Sequence, residues 1–287
     1  MTNVTVAPRR QIDGAEEGLS ERIPGRSGPF GSGRLGAAIG FVIPVTALVI
    51  WETGAFAGLI STRLLPPPSQ IGQTIVALAR EGDLVQHALA TLGRVWWGFL
   101  LGVAVATILG ALGGVSVLFK RLFDPTLQAL RNIPSIAWIP LFILWFGIFE
   151  TPKILLIAVG VFFPVYLTLA GAIANVDRKL VEVGRIYRFS TLALIRRILL
   201  PASLPTYIIG LRGGLGLGWM FVVAAEFMGA SKGFGYLLID GQMTGRPSII
   251  IASIVLFAVC GKLSDLALAT LGTRLISWQD GYSPGEA

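Results

Sequence analysis

One cysteine, one histidine and a shortage of charge set the first limits on this 287-residue chain. Cys260 alone cannot close an internal disulfide, and His87 alone cannot build a histidine–cysteine zinc cluster. Charged residues make up 14% of the chain, where soluble domains average about a quarter. So few charges cannot coat the one or two soluble domains this length would allow. A G-x-x-x-x-G-K-[ST] loop is also missing. GASKGFG and CGKLSD come nearest, and each lacks the spacing or the hydroxyl residue that cradling a nucleotide phosphate requires. No nucleophile, base and orienting group cluster in the sequence, which argues against a membrane enzyme.

What the chain does have is apolar surface. Hydrophobic residues make up 54% of it, and the mean hydropathy is +0.74. An all-α integral membrane protein follows from this balance. The formal charge of +7 then reflects cytoplasmic loops rather than nucleic-acid binding.

Residues 1–34 differ from the rest. They carry Arg9, Arg10, Asp13, Glu16, Glu17, Glu21, Arg22, Arg26 and Arg34, six glycines and no apolar run. Such a segment buries too little surface to offset its ordering entropy, so a disordered cytoplasmic tail is expected. It does not read as a secretory signal, because the apolar stretch comes late and lacks a small-residue cleavage site.

A helix crossing the hydrocarbon core needs roughly 20 mainly apolar residues. Six stretches qualify within a membrane domain over 35–276: about 35–51, 95–118, 132–149, 154–176, 206–228 and 248–270. Pro134 and Pro140 predict a kinked or partly re-entrant third span, and Pro44 and Pro164 are candidates for bends. The loop 52–94 contains TRLLPPPSQ, whose prolines favour extended polyproline backbone, and then IGQTIVALAR over 71–80, which reads as a short amphipathic helix at the interface. His87 falls at headgroup level in this scheme. Trp96, Trp97, Trp138, Trp145 and Trp219 lie near span ends or kinks and suit interfacial anchoring.

With the N-terminus inside, fifteen Lys and Arg residues are cytoplasmic. Six lie outside: Arg63, Arg80, Arg94, Lys153, Lys232 and Arg246. The positive-inside rule therefore predicts both termini, including the tail 277–287, in the cytoplasm.

The segment 177–205, DRKLVEVGRIYRFSTLALIRRILLPASLP, is too polar to span and too long for a turn. It predicts a helix of about three turns that breaks near Arg188-Phe189-Ser190. A second helix, 191–200, follows, capped by Ser190 and ending at Pro201. Arg185, Arg188, Arg196 and Arg197 make this a cytoplasmic docking knob or, as an alternative, a positive-inside loop that binds anionic headgroups.

Four charges fall inside spans: Arg212 and Glu226 in the fifth, Lys262 and Asp265 in the sixth. Arg212 lies about 9 Å into its span and Asp265 about 7.5 Å from the cytoplasmic end of the next, so the two are expected to pair. Glu226 is placed near the outer face, and Lys262 has no matched partner. The four cancel in sign, and structural pairing accounts for them. The other reading is that Arg212 or Lys262 attracts an anionic substrate. Gly210, Gly214 and Gly218 recur every fourth residue, as do Gly98 with Gly102 and Gly110 with Gly114; such spacing lets helix backbones approach. A dimer-lining role for the fifth-span face is the lesser alternative.

The 177–205 segment resembles the EAA loop of ABC-importer permeases, whose pattern is E-A-A, three residues, Gly, nine residues, Ile, one residue, Leu-Pro. Glu182, Ile198, Leu200 and Pro201 fit in register. Val183 and Gly184 stand in place of the two alanines. Arg188 stands in place of the glycine, where it is expected to reshape the bend or alter the partner surface. TRLLPPPSQIG, RNIPSIAWIPLFILWFGIFETPKI, GLRGGLGLGWMFVVAAEF and GKLSD extend the resemblance over about 60–280, towards the aliphatic-sulfonate branch. That branch is close to the nitrate, taurine and thiamine-precursor permeases.

The resemblance implies a six-helix type I ABC-importer permease with a cytoplasmic coupling-helix loop, in the bacterial inner membrane. It implies a homodimer, two ABC ATPase subunits that bind ATP and Mg, and an external substrate-binding protein. The chain itself would hold no cofactor and catalyse nothing. Glu182 would contact an arginine of the ATPase, while Ile198, Leu200 and Pro201 would shape the helix seated in its groove. The cargo would be a small organic anion, an aliphatic sulfonate first, with nitrate, taurine, bicarbonate or a thiamine-pyrimidine precursor as alternatives. A secondary transporter, the competitor from another class, would need internal repeats and midplane coupling ions, and no paired half-repeat is visible.

Overall fold

A computed structural model describes residues 40–276 and 278. The expected tail 1–34, the start of the first span and almost all of the expected tail 277–287 lie outside the described residues. The chain divides into two units. The first is Met1–Ala47 with Ser283–Ala287, of which residues 40–47 are described. The second is Leu48–Tyr282.

The described residues form helices and connecting turns without a strand. Helix α1 is Val42–Phe56, only 15 residues long. Pro67 holds an extended polyproline-like backbone (φ −64°, ψ 152°), and Pro68 then opens α2, Pro68–Glu81. Gly82 in the left-handed region (φ 85°) ends α2 and begins α3, Asp83–Val115. The second span therefore starts twelve residues earlier than 95, and much of the expected loop 52–94 is helical, because one glycine is enough to turn the chain.

The third expected span is broken. Helix α4, Val117–Arg131, is capped by Ser116, whose Oγ accepts from Phe119 N at 3.2 Å. After Pro134 comes a 3-10 turn, Ser135–Trp138, and then α5, Ile139–Phe146, with Pro140 in its first turn. The two arms meet at 92°. At eight residues, α5 rises only about 12 Å and cannot cross a bilayer alone.

Next come α6, Glu150–Ala174; α7, Arg178–Ile186; α8, Thr191–Phe227; α9, Phe234–Met243; and α10, Pro247–Leu275. Helices α3, α6, α8 and α10 are each long and apolar enough to cross a membrane, and the bent α4–α5 pair makes a fifth candidate. Pro164 lies inside α6 without interrupting it.

Helix α6 is the axis of the bundle. Leu156, Ile157, Val161, Val165, Tyr166 and Leu169 on it are buried, with α3 on one side and α8 on another. Both neighbours approach through glycine. A Cβ on Gly98 would lie 2.6 Å from Ile157 Cβ, on Gly102 2.6 Å from the Ala158 carbonyl oxygen, and on Gly114 2.6 Å from Ile173 Cβ. From the other side, a Cβ on Gly210 would lie 2.8 Å from Thr168 Cβ and on Gly214 2.7 Å from Val165 Cγ2; Gly218 abuts Val161. The fifth-span glycines thus face α6 of their own chain. Side-chain bonds between helices add direction. Tyr207 and Thr107 join α8 to α3 at 2.5 Å, and Tyr166 donates to Asp124 of α4 at 3.1 Å.

Replacing Gly102 with valine is expected to destabilise the bundle by about 1–3 kcal/mol, because its methyls enter space held by α6 backbone. Gly213→Ala, whose Cβ meets nothing within 4 Å, should instead be neutral or stabilising by up to about 1 kcal/mol. Reversible unfolding in mixed micelles reads both. Equal loss in the two variants would remove the glycine-contact explanation.

Candidate functional site

The segment between α6 and α8 begins at Asp177, whose side chain accepts from Lys179 N at 2.9 Å and starts α7. Helix α7 closes with two bonds: Arg188 N donates to the Arg185 carbonyl at 2.9 Å and Phe189 N to the Gly184 carbonyl at 3.0 Å. This is the Schellman arrangement, and it needs a left-handed residue at Arg188, where φ is 53°. The bend that arginine was expected to reshape is therefore kept, and Arg188 adopts the glycine-like conformation at a cost of roughly 1–2 kcal/mol. Gly184 is also accounted for. A Cβ there would lie 2.6 Å from Leu194 Cδ1 and 2.7 Å from Ile198 Cδ1, so the glycine lets α7 fold flat against α8. Arg197 stacks over the Phe189 ring, 5.3 Å from its centre, and ties the two arms. Glu182 is exposed on α7 and pairs with Arg178 one turn back at 3.1 Å.

The second arm departs from expectation. Ser190 caps it, Oγ accepting from Ala193 N at 3.3 Å, but the helix does not stop at Pro201. Ile195–Leu199 widens into a π-turn, in which Leu200 N donates to the Ile195 carbonyl. Pro201 has no N–H to place and its ring would strike the carbonyl four residues back; the wider turn relieves both problems. Thr191–Phe227 is consequently one continuous helix, so the knob is built onto the foot of α8.

Within the bundle, Arg212 and Asp265 form a two-pronged pair: Nε to Oδ1 at 2.8 Å and Nη2 to Oδ2 at 2.9 Å. Lys262 does have a neighbour after all, Asp265 Oδ2 at 4.0 Å, one turn along α10. Trp219 is a bundle residue and not an interfacial anchor, for its Nε1 donates to Ser264 Oγ at 2.8 Å. Trp138 likewise packs against the core.

Glu226 is fully buried and surrounded by groups that sequence reasoning placed elsewhere. Its Oε1 accepts from Thr91 Oγ1 at 2.7 Å and from Arg94 Nη1 at 2.8 Å; its Oε2 accepts from Gly235 N at 2.5 Å. Arg94, only 5% exposed, also grips Glu150 at 2.6 and 2.8 Å and donates to the Lys232 carbonyl at 2.6 Å. Lys153 Nζ closes the group, 3.4 Å from Glu150 Oε1. His87, expected at headgroup level, is buried. Its Nδ1 accepts from Gly233 N at 2.9 Å and its ring stacks on Tyr236.

This cluster lies where α3, α6 and α8 meet: Arg94 follows Asp83 along α3 by about 16 Å, Glu150 opens α6, and Glu226 is the penultimate residue of α8. Helix α8 stops here, the chain turns through residues 228–233, and α9 packs Gly241 against Ile249. The turn needs glycine: Gly233 has φ 125° and a Cβ there would collide with the Glu226 carboxylate. Arg94 and Lys153 had been counted as loop charges. A clue lay in the sequence, since each occurs within a few residues of a long apolar run. Nothing in the spacing, however, pairs position 94 with positions 150 and 226.

No group of three or more potential metal ligands occurs among the described residues. The arrangement is that of a membrane-embedded helical subunit with a two-armed, arginine-rich element at the foot of one long helix. Residues 98–277 match the family of binding-protein-dependent transport system inner membrane components. The chain belongs to that family, as a non-catalytic, multi-pass permease subunit of an ABC importer, in which partner ATPases hydrolyse the nucleotide.

Similarity runs along most of the chain. It is 40% identical over 252 residues to the aliphatic sulfonates transport permease protein SsuC of Bacillus subtilis, covering 88% of this chain and 91% of the relative. To the SsuC protein of Escherichia coli it is 37% identical, covering 85% and 93%. The taurine transport system permease protein TauC of Escherichia coli is 32% identical, covering 80% and 86%. Among solved structures, a chain of the inward-facing MetNI methionine ABC transporter superposes with a TM-score of 0.61 at 18% identity, over 69% of this chain and 98% of that one, and shares the fold.

Two outcomes are expected. Arg188→Gly should slow hydrogen exchange in 178–190 by about fivefold to thirtyfold where exchange follows opening of the bend, since the left-handed strain of roughly 1–2 kcal/mol is removed. Faster exchange would show that the arginine side chain holds the bend. Arg94→Met should cost about 3–5 kcal/mol by leaving buried Glu226 without its cation, and adding Glu226→Gln should recover much of that loss. Additive losses in chemical unfolding would mean the two are not coupled.

Proposed function

We propose that this chain is the membrane-spanning subunit of an ATP-driven importer of aliphatic sulfonates. Two copies would work with two ATPase subunits on the cytoplasmic side and a binding protein outside. The observation that carries the cargo is the near full-length similarity to two permeases named for aliphatic sulfonates, at 40% and 37% identity, above the 32% to TauC. Nitrate, taurine, bicarbonate and thiamine-pyrimidine precursors are the alternatives with the same mechanism; a nitrate import permease, NrtB of Leptolyngbya laminosa, is 30% identical.

Both termini are cytoplasmic on this reading, in the bacterial inner membrane. Burial of Arg94 and Lys153 removes them from the outer loops and leaves Arg63, Arg80, Lys232 and Arg246 there, which sharpens the charge asymmetry. ATP and Mg are bound by the ATPases, whose closure on ATP displaces the α7 knob. Glu182 offers its carboxylate to a cation of the ATPase, and Ile198, Leu200 and Pro201 shape the foot of α8 against it. Because α8 is continuous from the knob to Glu226, movement at its foot is carried as a rigid-body shift to the turn 228–233. Two copies moving together would open the path alternately to each side, and the binding protein would deliver cargo to the outward-open state.

The test is uptake by proteoliposomes holding the chain, its ATPase and its binding protein. ATP-dependent, saturable uptake of ethanesulfonate is expected, with taurine and nitrate poorer. Glu182→Ala should lower it at least about tenfold, since a charge-assisted bond worth about 1.5–3 kcal/mol is lost. Uptake of nitrate alone would overturn the cargo. Full coupled activity in Glu182→Ala would overturn the assigned contact.

A further inference from the structure

Lys262 stands midway between Pro247 and Leu275, on a helix about 42 Å long. Gly261 meets Trp219, Ser264 bonds its indole and Asp265 holds Arg212, so this side of α10 faces α8. Lys262 is turned the other way, with its side chain 76% exposed. Above and below it on the exposed face are Val259, Leu263 and Leu266. The extended lysine stem reaches roughly 6 Å, and from mid-helix neither edge of a core about 30 Å thick lies within that distance. A cation so placed cannot face hydrocarbon and must border water or protein.

Asp265 does not silence it. Both carboxylate oxygens are engaged by Arg212 at 2.8 and 2.9 Å, and Lys262 Nζ stops 4.0 Å away, beyond hydrogen-bonding distance. Two cations share one anion, which leaves a net positive charge and an ammonium whose three N–H donors have no hydrogen-bond acceptor among the described residues. A sulfonate head presents one negative charge over three acceptor oxygens. We infer that Lys262, backed by the Arg212–Asp265 pair, lines the water-filled path through the membrane and serves as a transient station for the anionic head of the cargo; for sulfonate as that cargo, this rests on the function proposed above. A single flexible ammonium is suited to the task, because a path must bind weakly enough to release.

The chain's one cysteine makes the test simple. In the complete importer, reconstituted with Cys260→Ala, Leu266→Cys puts a thiol one turn beyond Lys262 on the same exposed face. Two probes are compared: 2-sulfonatoethyl methanethiosulfonate, itself an alkanesulfonate, and its trimethylammonium counterpart. The ratio of anionic to cationic labelling rates should fall about tenfold on Lys262→Gln, in line with the local concentration of ions by a fixed charge, and survive Lys262→Arg. The KM for ethanesulfonate should rise in Lys262→Gln while the complex still assembles on size-exclusion chromatography. Absence of labelling by either probe, or a ratio indifferent to Lys262→Gln, overturns the station. Sulfonate uptake with an indifferent ratio overturns the station alone, whereas a charge-dependent ratio in an importer that carries no sulfonate upholds the station and overturns the cargo.

Discussion

Val161 of α6 lies between Gly102 of α3 and Gly214 of α8, in contact with both. In a membrane, apolar side chains gain little by leaving lipid for one another, so helix association depends on close packing. Glycine removes the side chain that would hold two backbones apart. At Gly102 the approach is close enough that a single Cβ would reach the α6 carbonyl at Ala158. The stack of α3, α6 and α8 therefore rests on contacts that tolerate no added atoms, and the polar features depend on that stack for their position.

Arg94, Glu150 and Glu226 illustrate the dependence. Burying the ionised groups of Arg94 and Glu226 is tolerable only where each finds partners in fixed geometry, and the partners, the more exposed Glu150 among them, come from α3, α6, α8 and the turn 228–233. Cross-links of this kind add direction that dispersion forces lack. They fix the end of α8 and the turn beside it. Gly233 and Gly235 belong to the same device, since each leaves room for the Glu226 side chain.

At its other end α8 carries the knob. A π-turn ahead of Pro201 allows a helix to run through two prolines, Pro201 and Pro205, with one continuous axis. The left-handed Arg188 turns α7 back onto that axis, and Gly184 lets it lie close. The two-armed polar element and the apolar length of α8 therefore share one continuous helix.

Period and composition alone determined that the chain is helical and membrane-embedded, where the polar two-helix segment falls, and that Arg212 and Asp265 pair. These follow from rules of spacing along one chain, such as a 1.5 Å rise and a four-residue repeat. The sequence also carried the glycine stripes, though not the helix they face. Tertiary structure decided what spacing cannot encode: that Arg94, called a loop charge, closes on Glu226, 132 residues away, and that Glu150 joins it from the start of α6. It also showed that an arginine can occupy a glycine's conformation, and that Lys262 stands beside Asp265 without bonding to it. The physical reason is that burial and charge pairing depend on which surfaces meet. Distant parts of a chain acquire a common depth and facing only once the bundle has packed.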